Sequence, residues 1–218
     1  MLAAFEHGIS TLADGLPALW VRVPPETRAL STGTLGGGLG DARWIVNAQV
    51  PGGYARTDPE AHLGEIAVEL GLEGPGVGLL TAASVREVRV AECEGAFALV
   101  TVGLALPLLA GDPLTLPRTP GTIHLVCLSP ARLADGALVN AACAITEAKA
   151  RALAELGVPG TGTATDAVCV ACPGVGEAEP FGGPASQWGS RLAAAAYRAT
   201  REGAAAWIVR KGRPWDGG

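Results

Sequence analysis

Residues 19–23 (LWVRV) alternate apolar and polar positions with the period of a strand. Pro24 and Pro25 follow, and neither can donate to a ladder, so the strand is predicted to stop there. Residues 29–32 read as a short partner strand. Residues 43–50 (RWIVNAQV), 77–83 and 85–90 read as further strands. Residues 97–104 (FALVTVGL) and 121–128 (GTIHLVCL) are nearly unbroken apolar runs, as in central strands covered on both faces. Residues 167–172 (AVCVAC) read as a short buried strand.

Three helices are predicted between these strands. Over 58–70, Asp58 is the N-cap, Pro59 suits the first helical position, and Gly71 ends the run. Leu63, Ile66, Ala67 and Leu70 share one face. Over 135–156, Leu138, Ala142, Ile145, Lys149, Ala152 and Leu156 recur at helical spacing, and Gly157 and Pro159 terminate them. An alanine-rich helix spans 186–207. The tail 208–218 is expected to fray. No long repeat and no linker interrupts the chain. One domain over 1–218, with its core at about 15–207, follows from this pattern. Its class is α/β, a mixed sheet covered by helices. Strict βαβ alternation is missing from the first half, which argues against a plain Rossmann fold.

Composition narrows the partners. The chain has 218 residues, is 49% hydrophobic and only 5% aromatic, so its core rests on many small, close contacts. Mean hydropathy is +0.31, yet no run reaches the roughly 18 uncharged apolar residues of a membrane helix. Net charge is −5, which opposes nucleic acid as the main partner. Residues 1–8 lack a basic n-region and a long apolar run, so no signal peptide is predicted. Five cysteines, an odd number, suit reduced thiols in the cytoplasm. The small residues Ala193, Ala194, Ala195, Ala196 and Ala199 permit close helix packing, within the chain or across a homo-oligomer.

Few residues carry chemistry. Residues 160–166 (GTGTATD) combine a flexible backbone, three hydroxyls and Asp166 ahead of a strand. Such a loop offers N–H groups to an oxyanion, or simply forms a turn closed by side-chain bonds. Lys149 lies on an apolar helical stripe, where it needs a partner or a lowered pKa, or else snorkels to water. Glu147 faces Arg151 at i,i+4 spacing. The chain has three histidines, and His124 lies mid-strand. Cys169 and Cys172 form a CxxC on a strand, where the two sulfurs point to opposite faces. No P-loop, GxSxG elbow or HExxH is present, and no metal ligand set is read.

Ordered segments of the chain resemble the adenosylcobinamide amidohydrolases of corrinoid salvage. They are Leu30-Ser31-Thr32 with Gly36, Gly37 and Gly38; Trp44-Ile45-Val46-Asn47 with Val50; and GLLTAA from Gly78 to Ala83. TVGL at 101–104 with Ala110-Gly111, Gly121-Thr122-Ile123, TEAK at 146–149, GTATDAV at 162–168, and Gly182-Gly183 before Gly189 complete the set. The resemblance spans about residues 28–206, and TEAK and GTATDAV are its most specific parts. It implies hydrolysis of the aminopropanol amide of adenosylcobinamide, giving adenosylcobyric acid and 1-amino-2-propanol. No cofactor is required by the sequence; the corrinoid is the substrate, and a divalent metal stays open.

In that frame Asp166 and Glu147 are the carboxylates that move protons or position water. Lys149 tunes one of them or protonates the leaving amine. The backbone of 160–165 forms part of the oxyanion site, and Gly36, Gly37 and Gly38 admit the broad corrin. Ser31, Asn47, Thr81, Thr101, Thr163 and Thr165 are expected to bind substrate. Two positions depart from the family pattern, since Leu106 and His124 stand where it carries asparagine. Their joint change implies that a shared polar contact has been replaced, with His124 supplying a new base or ligating the corrinoid cobalt. The alternatives are a corrinoid-binding protein without turnover, and an amidase of another substrate class.

Overall fold

The computed structural model describes residues 5–113 and 121–215. Residues 1–4 of the N-terminal reading and 216–218 of the tail lie outside these. Strands β1 (Glu6–Thr11), β2 (Pro17–Ser31) and β3 (Gly38–Gln49) are antiparallel neighbours. Helix α1 (Pro59–Glu69) then returns the chain, so that β4 (Gly76–Thr81) runs parallel to β3. Strands β5 (Arg89–Cys93), β6 (Ala96–Gly103) and β7 (Thr122–Leu128) repeat that antiparallel plan. Helix α2 (Asp135–Glu155) leads into β8 (Ala167–Pro173), parallel to β7, and α3 (Gln187–Lys211) ends the order. The halves join where the second part of β2 pairs with β8. The sheet order is β4-β3-β2-β8-β7-β6-β5, with β1 beside the first part of β2. The expected α/β class, with a mixed sheet and without plain Rossmann winding, is what forms.

Three elements differ from the sequence reading. β1 went unread. β2 does not stop at Pro24-Pro25: its pairing with β3 jumps from Arg22↔Trp44 to Thr27↔Ala42, so the prolines sit in a bulge that asks no ladder donor of them. Glu26, at φ 63°, completes that bulge, and residues 29–32 belong to the same strand. Residues 85–90 are not one strand. Val85–Glu87 make a 3-10 turn, and β5 follows. A two-residue turn at Glu94-Gly95, both with positive φ, joins β5 to β6. In α1, Asp58 is the N-cap residue but its side chain does not cap; Arg56 takes its carboxylate instead, at 2.8 and 2.9 Å.

The sheet buries both faces. On one, Ile123, Leu125 and Cys127 of β7 and Val100 and Val102 of β6 pack against α2 and α3. Ala195, Ala196 and Ala199 of α3 are part of that layer within the chain. On the other face, Ile45, Val77, Leu79, Leu99, Val126 and Cys169 pack against one another across the curl of the sheet. The CxxC sulfurs divide as predicted, Cys169 to this cluster and Cys172 to the helical one. α1 covers the outer side of β3 through Trp44, Val46 and Ala48. Among the described residues, no helix is long and apolar enough to cross a membrane.

The expected tail is not frayed: residues 208–211 continue α3, and the described residues after it are docked. Gly212, at φ 76°, ends the helix, and Arg213 donates to the carbonyls of Leu156 at 2.9 Å and Gly157 at 3.4 Å. Trp215 then stacks on Trp207, with centroids 6.2 Å apart and planes within 10°. Such a pair contributes about 1 kcal/mol beyond its buried area. Trp215→Ala is therefore expected to lower Tm by roughly 2–4 °C in a thermal melt; an unchanged Tm would mean the tail is loose.

Candidate active site

The inner face of the curled sheet changes character toward one end. Along β3 the inward positions run Ile45 then Asn47; along β4, Val77, Leu79, Thr81; along β6, Leu99, Thr101; along β7, Val126, His124, Thr122. The period of two carries each strand from apolar to polar at the same level. An open cleft of about 460 Å³ lies there. Thr32, Tyr54, Thr122, His124, Thr165 and Asp166 are among its lining residues.

The 160–166 loop enters this cleft between α2 and β8, and Asp166 holds it. Asp166 Oδ1 accepts the Ile123 N–H at 2.8 Å and the Thr163 hydroxyl at 2.5 Å. Oδ2 accepts Lys149 Nζ at 2.5 Å and the Thr163 N–H at 3.1 Å. The lysine on the apolar stripe thus has its acidic partner, and the two side chains are only 8% and 13% exposed. A Cβ at Gly162 would strike Asp166 Oδ2 and lie 2.5 Å from Lys149 Nζ, so only glycine fits over the pair. The loop's outer side is fixed to the chain after β6: Leu108 donates to Gly162 and accepts from Thr161, both at 2.9 Å. Among the described residues, the N–H groups of Ala164 and Thr165 find no acceptor.

His124 is the cleft's imidazole. Its Nδ1 lies 2.9 Å from Asn47 Oδ1, and Asn47 Nδ2 donates to Thr101 Oγ1 at 2.9 Å. Burial pushes the ring down to about 4; the Asp166 charge and the Thr165 backbone pull the other way. The ring is therefore neutral at neutral pH. Beside it, Thr165 Oγ1 donates to the Gly121 carbonyl at 3.0 Å and lies 2.7 Å from Thr122 Oγ1. The Thr165 proton is thereby committed, and Thr122 donates to Thr165.

The remaining expected residues are scattered. Glu147 is exposed on α2, and Arg151 bonds Glu155 at 2.9 Å instead. Ser31 Oγ accepts the Gly33 N–H at 2.9 Å, and Thr81 Oγ1 the Ala83 N–H at 3.0 Å; both are buried. Gly36 and Gly37 line a separate depression beside Trp44 and α1. A Cβ on Gly36 would meet the Gly76 carbonyl and one on Gly37 the Gly33 carbonyl, so these two glycines allow close backbone packing. Gly38 opens β3 at φ 89°. Leu106 is 38% exposed in the turn after β6, whereas His124 is 3% exposed, and His124 has a polar partner of its own.

Thr32, Tyr54 and Thr122 were not read as site residues. Thr32 donates its N–H to Val168 at 2.9 Å and accepts the Val168 N–H on its hydroxyl at 3.0 Å. Tyr54 stacks on His62 at 5.6 Å, with its hydroxyl 3.0 Å from Nδ1. Thr122 had a signal, a polar position two before His124 on an apolar strand. Thr32 stood in the Leu30-Ser31-Thr32 segment of the resemblance without a role, and Tyr54 had no signal.

No three His, Cys, Asp or Glu side chains converge as metal ligands among the described residues. The crystal structure of the PH0078 protein from Pyrococcus horikoshii OT3 overlays 95% of this chain and 85% of its own at TM-score 0.49 and 13% identity, a level from which nothing follows. Sequence relatives are nearer. The adenosylcobinamide amidohydrolase of Methanosarcina mazei is 33% identical over 80% of this chain and 88% of its own. That of Halobacterium salinarum is 34% identical over 88% of this chain and 85% of its own. The family model for adenosylcobinamide amidohydrolase matches residues 7–212, and it covers the polar end of the sheet, the Lys149–Asp166 loop and the helices behind them. The chain belongs to the adenosylcobinamide amidohydrolase family.

Proposed function

We propose that this chain hydrolyses the aminopropanol amide of adenosylcobinamide at the cleft, releasing adenosylcobyric acid and 1-amino-2-propanol. The observation that carries this is a neutral imidazole lining one cleft with Thr165 and Asp166 of the 160–166 loop, in a chain of this family. About 460 Å³ suits a side arm and not a corrin macrocycle. The amide arm enters, and the ring rests on the rim formed by the 50–54 segment and the 32–34 loop.

In this reading His124 takes a proton from water as its oxygen attacks the amide carbonyl. The developing oxyanion meets the Ala164 and Thr165 N–H groups, and each such donor contributes roughly 3 kcal/mol of barrier lowering. The C–N bond breaks, and the proton on His124 passes to the leaving amine. Asp166 is a poor general base. Four hydrogen bonds occupy its oxygens, one of them to Lys149. It holds the loop in place and, as an anion, favours the protonated ring in the transition state. Glu147 has no part in this reading.

The first test incubates the protein with adenosylcobinamide, with and without EDTA, and follows products by mass spectrometry. Adenosylcobyric acid and aminopropanol are expected. A shifted corrinoid spectrum without products would make the chain a binding protein. No shift and no product would point to another amide.

Asp166→Asn leaves Lys149 buried without its counter-charge. It is expected to cost about 3–5 kcal/mol of stability and to abolish turnover. Adding Lys149→Met should restore much of the stability in urea melts and none of the turnover; an active double variant would exclude the loop from catalysis.

The pH dependence follows from His124. Its folded pKa, about 4, lies below the unfolded value near 6.5, so the unfolded chain takes up the proton first. Stability is lost as pH falls from 6.5 toward 4, by about 3 kcal/mol from this group. Urea melts of the wild type should show that slope, and His124→Asn should flatten it. With the ring as base, kcat/KM should hold down to about pH 5 and fall near 4.

A further inference from the structure

Asn47 and Thr101, expected from the sequence to touch substrate, lie behind His124. Asn47 is 2% exposed and Thr101 1%, and neither lines the cleft. They come from β3 and β6, which are not neighbours in the sheet, and they meet across its inner face. In the structure the Asn47 NH₂ donates to the Thr101 hydroxyl and Oδ1 faces His124 Nδ1, both at 2.9 Å. An oxygen there accepts only, so Nδ1 must carry the ring proton. In a neutral ring, the lone pair then resides on Nε2, against the pull of the Thr165 backbone, which favours a protonated ring.

We propose that Thr101 and Asn47 are positioning residues that hold His124 in its Nδ1–H tautomer, so that Nε2 is the nitrogen that accepts the proton of the attacking water. This rests on the hydrolytic reading above and names how its base is set. The Asn47 oxygen remains a partner for Nδ1–H when the ring is protonated, so the base moves through its cycle without losing a bond. The titratable groups near the ring are Asp166, from the loop before β8, and Lys149 behind it on α2. Both stay in place when Asn47 is changed.

Two measurements test this. The first needs no substrate. In ¹⁵N-labelled protein at neutral pH, the imidazole nitrogens report which one is protonated, and with three histidines in the chain, His7→Gln and His62→Gln variants identify His124. The Nδ1–H pattern is expected for His124. An Nε2–H pattern would overturn the proposal, because the amide would then be reversed.

The second is kinetic. Asn47→Ala should lower kcat about 10–100-fold with KM within about twofold, since orientation is lost and the cleft surface is kept. Asn47→Asp keeps an acceptor for Nδ1–H and adds a negative charge. It should retain kcat within about tenfold and move the acid limb of kcat/KM to higher pH. A merely structural Asn47 would lower Tm in both variants and leave the limb unmoved, and that result would overturn the proposal. Absence of adenosylcobinamide turnover with the Nδ1–H tautomer intact would sink the substrate assignment and not the positioning of the ring.

Discussion

The ion pair between Lys149 and Asp166 is the constraint on which the site depends. Two opposite charges, each more than four-fifths buried, meet at 2.5 Å. Removing them from water costs several kcal/mol per ion unless their remaining bonding capacity is met. For Asp166 it is met, by the Ile123 N–H and by the N–H and hydroxyl of Thr163. The pair therefore ties α2, the loop before β8 and Ile123, the second residue of β7, into one unit. TEAK and GTATD, which read as two motifs in the sequence, are the two sides of this single contact. Gly162 belongs to it as well, since a side chain there would displace the lysine or the carboxylate.

That saturation sends the proton chemistry elsewhere. A carboxylate with four donors aimed at it has little capacity left for a proton from water. The imidazole of His124 has capacity, because burial keeps it neutral. Its surroundings are polar but satisfied: Asn47 and Thr101 are buried without an orphaned side-chain group. The curl of the sheet makes this possible. It brings β3 against β6 and β7, so that the polar ends of strands distant in sheet order share one pocket.

The strands and helices were legible where local chemistry decides them. The apolar runs of β6 and β7 and the stripe on α2 gave those elements almost to the residue. β2 was misread because Pro24-Pro25 breaks a ladder only where a ladder donor is required, and a bulge removes that requirement. The repeated element order of the two halves has no sequence repeat behind it, so it emerged only from the pairing. In the site, Lys149, Asp166, His124 and Thr165 carried a signal, each a polar residue where the pattern called for an apolar one or a turn. Glu147 shared a motif with Lys149 but sits two positions along the helix, about 200° around its axis, and so reaches solvent. Thr32 and Tyr54 reach the cleft from loops, whose course no periodicity records. Asn47 and Thr101 were named through the family resemblance; that they lie behind His124 was not legible, because alternation gives the face a residue takes and not its depth.

The same carboxylate that anchors the loop also acts on the ring. The Asp166 charge raises the basicity of His124, while burial lowers it by more. Water in the open cleft screens the first of these interactions. A substrate arm that fills the cleft expels that water and lowers the local dielectric, so the attraction between Asp166 and a protonated His124 strengthens. Lys149, paired with the carboxylate, offsets part of that field, and Asp166 is the charge that acts on the ring. Expelling that water also deepens the burial that disfavours the charged ring, so the Asp166 charge offsets part of that cost, and the ion pair gives the loop its shape before substrate arrives.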